Sequence, residues 1–153
     1  MKIYISGKMT GLTPRQIKKN FNKLEENLIL HFGHCVSVMN PAVTYNMKSY
    51  KEFSYEDWLK IDFAMIDVCD SVYLLKNWED SEGAKKEIAY AFRTNKKIFF
   101  PTCYGYVENP LLAQSIAIEV EKAELKNRLD EEKEALLEEV AVKILKEKMN
   151  GQI

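Results

Sequence analysis

The chain has 153 residues, of which 46% are hydrophobic and 29% charged, with a formal net charge of −1. That length suits one domain with a real core, and the balance is that of a globular protein, which excludes a fibrous or disordered chain. Near-neutral charge excludes a global field toward nucleic acid or an acidic membrane surface, and apolar runs of roughly five residues are far too short to span a bilayer.

In chain order, Lys2–Ser6 reads as a strand of β-formers with a buried, central position. Gly7–Thr13 is a loop, after which Thr13 caps a helix that begins with Pro14. That helix runs to His31 or Phe32 and stops at Gly33. Cys35–Met39 predicts a second strand, followed by a long loop through Asn40-Pro41 to Phe53. Ser54 and Asp57 have capping-box spacing and open a second helix to about Val68. Ser71–Leu75 is continuously apolar in character, as a strand buried on both faces should be. A loop over Lys76–Asp80 leads into a third helix ending near Asn95, and Lys97–Phe100 is a fourth strand closed by Pro101. Strands alternating with helices predict an α/β fold: a Rossmann-like parallel sheet of four to five strands with flanking helices and right-handed crossovers.

From Asn109-Pro110 onward the composition changes. Leu111 to Met149 is helix-forming and lacks glycine and proline, so residues 1–109 read as the α/β domain and 110–153 as a long C-terminal helical extension. Lys126 to Glu134 carries only Leu129 as an apolar residue, which fits one long helix or two helices bent near Asp130. Leu136, Leu137, Val140, Ala141, Ile144 and Leu145 give the last part an apolar face, for oligomerisation or for packing back onto the same subunit.

Two acids stand out. Glu87 falls within the apolar stripe Ala84, Ile88 and Ala91, and Asp62 within the face of Tyr55, Trp58, Leu59, Ile66 and Cys69. Burying an unpartnered carboxylate costs several kcal/mol, about what a small domain has to spare, so such residues point to chemistry. Lys85 and Lys86 point away from the face of Glu87 and do not suit it as ion-pair partners. Ligands of an open parallel sheet bind beyond the carboxyl ends of its strands, where the loops Gly7–Thr13, Asn40–Phe53, Lys76–Asp80 and Thr102–Asn109 should lie. Gly7-Lys8-Met9-Thr10-Gly11 offers backbone amides and two polar side chains, though it fits neither a Walker motif nor the dinucleotide fingerprint. Asp80-Ser81-Glu82-Gly83-Ala84 is a capped helix start, a natural anion site. Trp58, Trp78, Tyr45, Tyr50 and Tyr104 are aromatics able to stack on a base. Paired carboxylates in such a cleft suit attack at the anomeric carbon of a glycoside. Cys35, Cys69 and Cys103 are isolated, which suggests reduced thiols and a cytoplasmic chain, and two neighbouring histidines do not suggest a metal site.

Tyr4-Ile5-Ser6-Gly7 with Gly11, Asn40-Pro41, Asp62 eight residues before Asp70, and the run Asp80 to Ala91 together resemble the nucleoside 2-deoxyribosyltransferase superfamily, which includes the 2′-deoxynucleoside 5′-monophosphate N-glycosidases. The nearest resemblance is to a phage- and prophage-associated branch with no established function. Over roughly residues 2–101, the resemblance implies that Glu87 is the nucleophile and that Asp62 assists the leaving base or orients the nucleophile. It implies substrate contacts at Tyr4, Gly7, Lys8, Met9, Thr10, Gly11, Asn40, Trp78, Asp80, Ser81 and Gly83, with Ser81 on a phosphate. The expectation is an N-glycosidic bond hydrolase or transferase acting on a (deoxy)nucleoside or its 5′-monophosphate, with no cofactor or metal and no nucleic-acid or membrane partner. A homo-oligomer, a dimer or dimer of dimers, is expected. Rival expectations are cleavage of another N-glycoside such as NAD, and a non-catalytic nucleotide-binding or sequestering protein.

Overall fold

The computed structural model describes residues 1–46 and 52–150, and the side chains of residues 1–44 and 52–143. Tyr50 and the side chains of Tyr45, Ile144 and Leu145 lie outside the described residues. Strand β1 (Lys2–Ser6) is followed by helix α1 (Pro14–Phe32), β2 (Ser37–Met39), α2 (Tyr55–Asp67), β3 (Ser71–Leu74), α3 (Glu82–Arg93), β4 (Lys97–Thr102), β5 (Gly105–Glu108) and α4 (Pro110–Asn150). The five strands form one sheet in the order β2-β1-β3-β4-β5. The first four run parallel, with Tyr4 opposite both Met39 and Val72, and Tyr73 opposite Phe99. β5 is antiparallel to β4. This is a mixed α/β fold, mostly parallel, flanked by helices and followed by a long C-terminal helix.

Strand side chains alternate between the two faces of a sheet, and that alternation sorts the chain. Ile3, Ile5, Tyr73 and Leu75 pack on one face against Ile17, Phe21, Leu24 and Leu28 of α1. Each fully buried side chain of this kind stabilises the fold by about 1.5–3 kcal/mol. Tyr4 and Ser6 point the other way, toward α3. α1 begins as its sequence dictates: Thr13 and Gln16 form a reciprocal capping box, Pro14 occupies the first turn, and Gly33 ends the helix at φ 63°. Ser54 and Asp57 form the corresponding box at α2.

Several boundaries differ from the sequence expectation. Gly33–Cys35 make a short 3-10 turn, so β2 starts at Ser37 instead of Cys35. The long loop after Asn40 contains a second such turn, Pro41–Asn46. β4 continues through Pro101 to Thr102. Its pairing to β3 ends at Phe99, so the missing N–H of Pro101 breaks no bond there. Thr102–Asn109, expected as a loop, instead turns at Cys103-Tyr104 and returns as β5. α4 is helical from Pro110 to Asn150.

Met1–Ile118 form one compact unit and Glu119–Ile153 a second. The first therefore takes in residues 110–118, where Ala113, Ile116 and Ala117 are buried. Among the described residues, no helix is long and apolar enough to cross a membrane.

Candidate active site

Glu87 sits in the second turn of α3, on the face it shares with Ala84, Ile88 and Ala91, and is only 6% exposed. The small alanines let this face of the helix approach the sheet closely. The Tyr4 hydroxyl donates to Glu87 Oε1 at 3.2 Å and the Ser6 hydroxyl to Oε2 at 2.5 Å. Both donors come from one face of β1, two residues apart, which is why a single strand can engage both carboxylate oxygens. Asp62 projects from the face of α2 that also carries Leu59 and Ile66. Glu87 and Asp62 line one cavity of about 340 Å³, within the range of about 300–1,000 Å³ typical of small-molecule sites. Neither ion pair found among the described residues, Lys60–Asp57 or Lys85–Glu82, involves these two acids.

The electrostatics follow from that placement. Burial pushes the Glu87 carboxyl well above the usual carboxylate range, the charge of Asp62 pushes it further, and the Ser6 and Tyr4 hydroxyls oppose the rise. Burial also raises Asp62, to about 6, with Tyr4 and Glu87 as the polar neighbours opposing it. Two nearby carboxyls in a poorly solvated site cannot both ionise readily, so the pair favours keeping a proton between them. The Tyr4 phenol is raised well above its usual value by complete burial and by both acids, so it stays a donor.

The remaining walls come from the ends of the parallel strands. Gly7, Met9, Thr10 and Gly11 follow β1, Pro41 and Thr44 follow β2, and Ser81, Gly83 and Ala84 begin α3. Tyr55, Trp58 and Leu59 close the cavity from α2. Ser81 caps α3 by accepting from the Ala84 amide at 3.2 Å. The Lys86 ammonium lies 5.2 Å from the centre of the Tyr55 ring.

Of the residues expected at the site, the structure brings together Glu87, Asp62, Gly7, Met9, Thr10, Gly11, Ser81 and Gly83, with Trp58 among the aromatics. Six others, the aromatic Tyr104 included, are not among the lining residues. Tyr4 is fully buried behind Glu87. The Lys8 amide bonds Asn77 Oδ1 at 3.4 Å. Asn40 is buried and structural: its Nδ2 donates to Glu25 and Asn22 of α1, and its Oδ1 accepts from the Ala42 amide. Trp78 is buried edge-on against Phe100. Asp80 is exposed in the 3-10 turn before α3, and Tyr104 is 99% exposed at the β4–β5 turn. Sequence reading gave no role to Ser6, Thr44 or Tyr55. Ser6 had a signal, since strand alternation puts it on the same face as Tyr4. Tyr55 had one too, seven residues before Asp62 on the same helix face. Among the described residues, no group of three or more His, Cys, Asp or Glu is arranged to hold a metal ion.

The fold and this cavity define an α/β domain with a paired-acid crevice at the mouth of its parallel strands. Residues 1–100 match the family described as a domain of unknown function, DUF4406, and the chain belongs to that family. No curated protein and no solved structure matches the chain.

Proposed function

We propose that this protein cleaves or transfers the N-glycosidic bond of a (deoxy)nucleoside or its 5′-monophosphate. The observation that carries the reading is that Glu87 and Asp62 line one cavity while Tyr4 and Ser6 hold Glu87 from behind. In this mechanism the proton held between the two acids moves to Asp62, and the Glu87 oxygen so ionised attacks C1′ of the sugar. The C1′–N bond breaks, its electrons leave with the base, and the base takes the proton that the pair holds, delivered by Asp62. Water, or a second base, then attacks C1′, frees Glu87 and returns a proton to Asp62. The loop residues Gly7, Met9, Thr10 and Gly11 and the start of α3 at Ser81 and Gly83 receive the sugar-phosphate end. Trp58 and Tyr55 offer faces on which the base stacks. The motif resemblance over residues 2–101 supports the same assignment.

A panel of nucleosides and 5′-monophosphates, followed by chromatography for released base, tests the reading. Glu87→Ala should lower the rate by about 1,000-fold or more. Equal rates in both proteins would sink the nucleophile assignment. Release of nicotinamide from NAD instead of a nucleobase would move the activity to another N-glycoside. One observation favours a second reading, a binding protein without turnover: burial favours the protonated form of Glu87, which hydrogen-bonds a ligand without attacking it. Thermal stabilisation by nucleotides with no released base is the outcome that reading predicts.

A further inference from the structure

A second cleft opens on the α1 face of the sheet, beside the end of β3. It encloses about 320 Å³ and is lined by Asn20, Lys23 and Asn27 of α1, by Lys76 and Asn77 after β3, and by Tyr106 of β5. Leu24 and Leu75 form its apolar floor. Every polar residue of that lining carries a donor, and no carboxylate is among the described lining residues. Among the described residues, neither Lys23 nor Lys76 is in an ion pair, and the side chains of Asn20 and Asn27 make no hydrogen bond. Asn77 spends its Oδ1 on the Lys8 amide, which leaves its NH₂ free to donate. Burial pushes the Tyr106 hydroxyl up to about 12, so it stays a proton donor.

Converging donors with no acceptor charge among them fit an anion rich in acceptor oxygens. The cations also continue beyond the cleft: Arg15, Lys18, Lys19 and Lys23 share one face of α1 with Glu26 as the acid among them. On a chain of net charge −1, that row makes a local positive field which draws anions of several charges toward the cleft. We propose that this cleft binds a phosphate-bearing small molecule, with Lys23 and Lys76 taking the phosphate charge and the asparagine amides and Tyr106 completing the donor set. The site is distinct from the paired-acid cavity: the two share no lining residue, and Leu75 packs on the α1 face of the sheet while Tyr4 and Ser6 hold Glu87 on the other.

Inorganic triphosphate and ATP, each titrated calorimetrically into the full chain, test the proposal. Both should bind the wild type and Glu87→Gln with equal affinity, independent of any glycosidase activity. Lys23→Glu/Lys76→Glu should bind at least tenfold more weakly, and Asn27→Asp, which changes one atom and adds a negative charge, at least threefold. Equal affinity for the two ligands assigns recognition to the phosphates, and tighter ATP binding adds a nucleoside contact within the same cleft. The proposal is overturned by no binding at millimolar ligand, by unchanged affinity in Lys23→Glu/Lys76→Glu, or by loss of binding in Glu87→Gln. It is also overturned if Lys18→Glu/Lys19→Glu weakens binding as much, since a diffuse helix field would then suffice.

Discussion

Glu87 is held by two hydroxyls of one strand and faces a second acid, and each of these neighbours leaves a measurable trace. Its ordinary pKa is 4.5 and its folded value lies well above that. Between those limits the native state binds more protons than the unfolded chain, so this group makes stability fall as pH rises through the window. Glu87→Gln removes the titration and keeps the shape. We expect the variant to be more stable than wild type at pH 8, on the order of 1 kcal/mol, with the difference shrinking toward pH 5, as for other acids retained for function. Urea unfolding at the two pH values checks this, and a wild type that gains stability between pH 5 and 8 relative to the variant would reverse the sign. The rate of base release has its own trace. With Asp62 raised to about 6 and Glu87 raised as well, the pair takes up protons as pH falls through that range and loses the negative charge that attack requires. Release should therefore fall about tenfold per pH unit below an apparent pKa near 6. A rate flat from pH 7 to pH 4.5 would exclude an ionised member of this pair from the chemistry. Ser6→Ala leaves one oxygen of Glu87 without its hydroxyl donor. It should slow release by about 10–100-fold, the scale of losing one positioned hydrogen bond of about 1.5–3 kcal/mol to a charged group.

At the scale of elements, caps and stripes were legible and pairings were not. Thr13, Pro14 and Gly33 mark α1 by side-chain and backbone preferences that act within a few residues, and Ser54 with Asp57 does the same for α2. β5 depends on a partner strand: Cys103-Tyr104 is a turn without the Asn-Gly or Asp-Gly signal of a tight hairpin, so nothing local announces it. The same distinction divides the site. Glu87 and Asp62 were visible as charges within apolar stripes, because helical periodicity is local. The burial of Tyr4 behind Glu87, the bonding of Asn40 to α1 and the packing of Trp78 on Phe100 are long-range contacts, which no short window contains. The loop after β1 shows what such a contact demands. A Cβ on Gly7 would stand 2.7 Å from both Cβ and Cδ1 of Leu75. Leu75 is itself buried on the α1 face, so it has little room to move. Gly7→Ala should destabilise the domain by about 1–3 kcal/mol, the usual cost of overpacking, while Gly11→Ala, with open space around it, is strained only by its φ of 79°. Chemical denaturation of the two variants separates the effects, and a neutral Gly7→Ala would mean that Leu75 yields freely.

At the scale of the whole molecule, the strand order β2-β1-β3-β4-β5 puts the switch point between β1 and β3, where connections depart to opposite faces of a doubly wound sheet and ligands bind beyond the carboxyl ends. The paired acids occupy that crevice on the α3 side, and the donor-lined cleft lies on the α1 side. The C-terminal helix poses a separate question. Leu125, Leu129, Leu136, Leu137 and Val140 are each 47–62% exposed in the single chain, spaced so that several share a face at helical period. Helices gain most of their stability from burying an apolar stripe, and little from propensity alone. A second copy of the same helix would cover such a stripe, as the homo-oligomer expected from the sequence requires. Leu136→Lys/Leu137→Lys places two charges in the stripe and alters no residue that lines either cavity. Light scattering should then report a lower mass than for the wild type, while the compact unit Met1–Ile118 keeps its thermal transition. An unchanged mass would remove self-association through this stripe. Base release measured on the same variant separates the two roles: activity that survives dissociation means each cavity is complete within one chain, and activity lost with the mass means the neighbouring copy helps to build it.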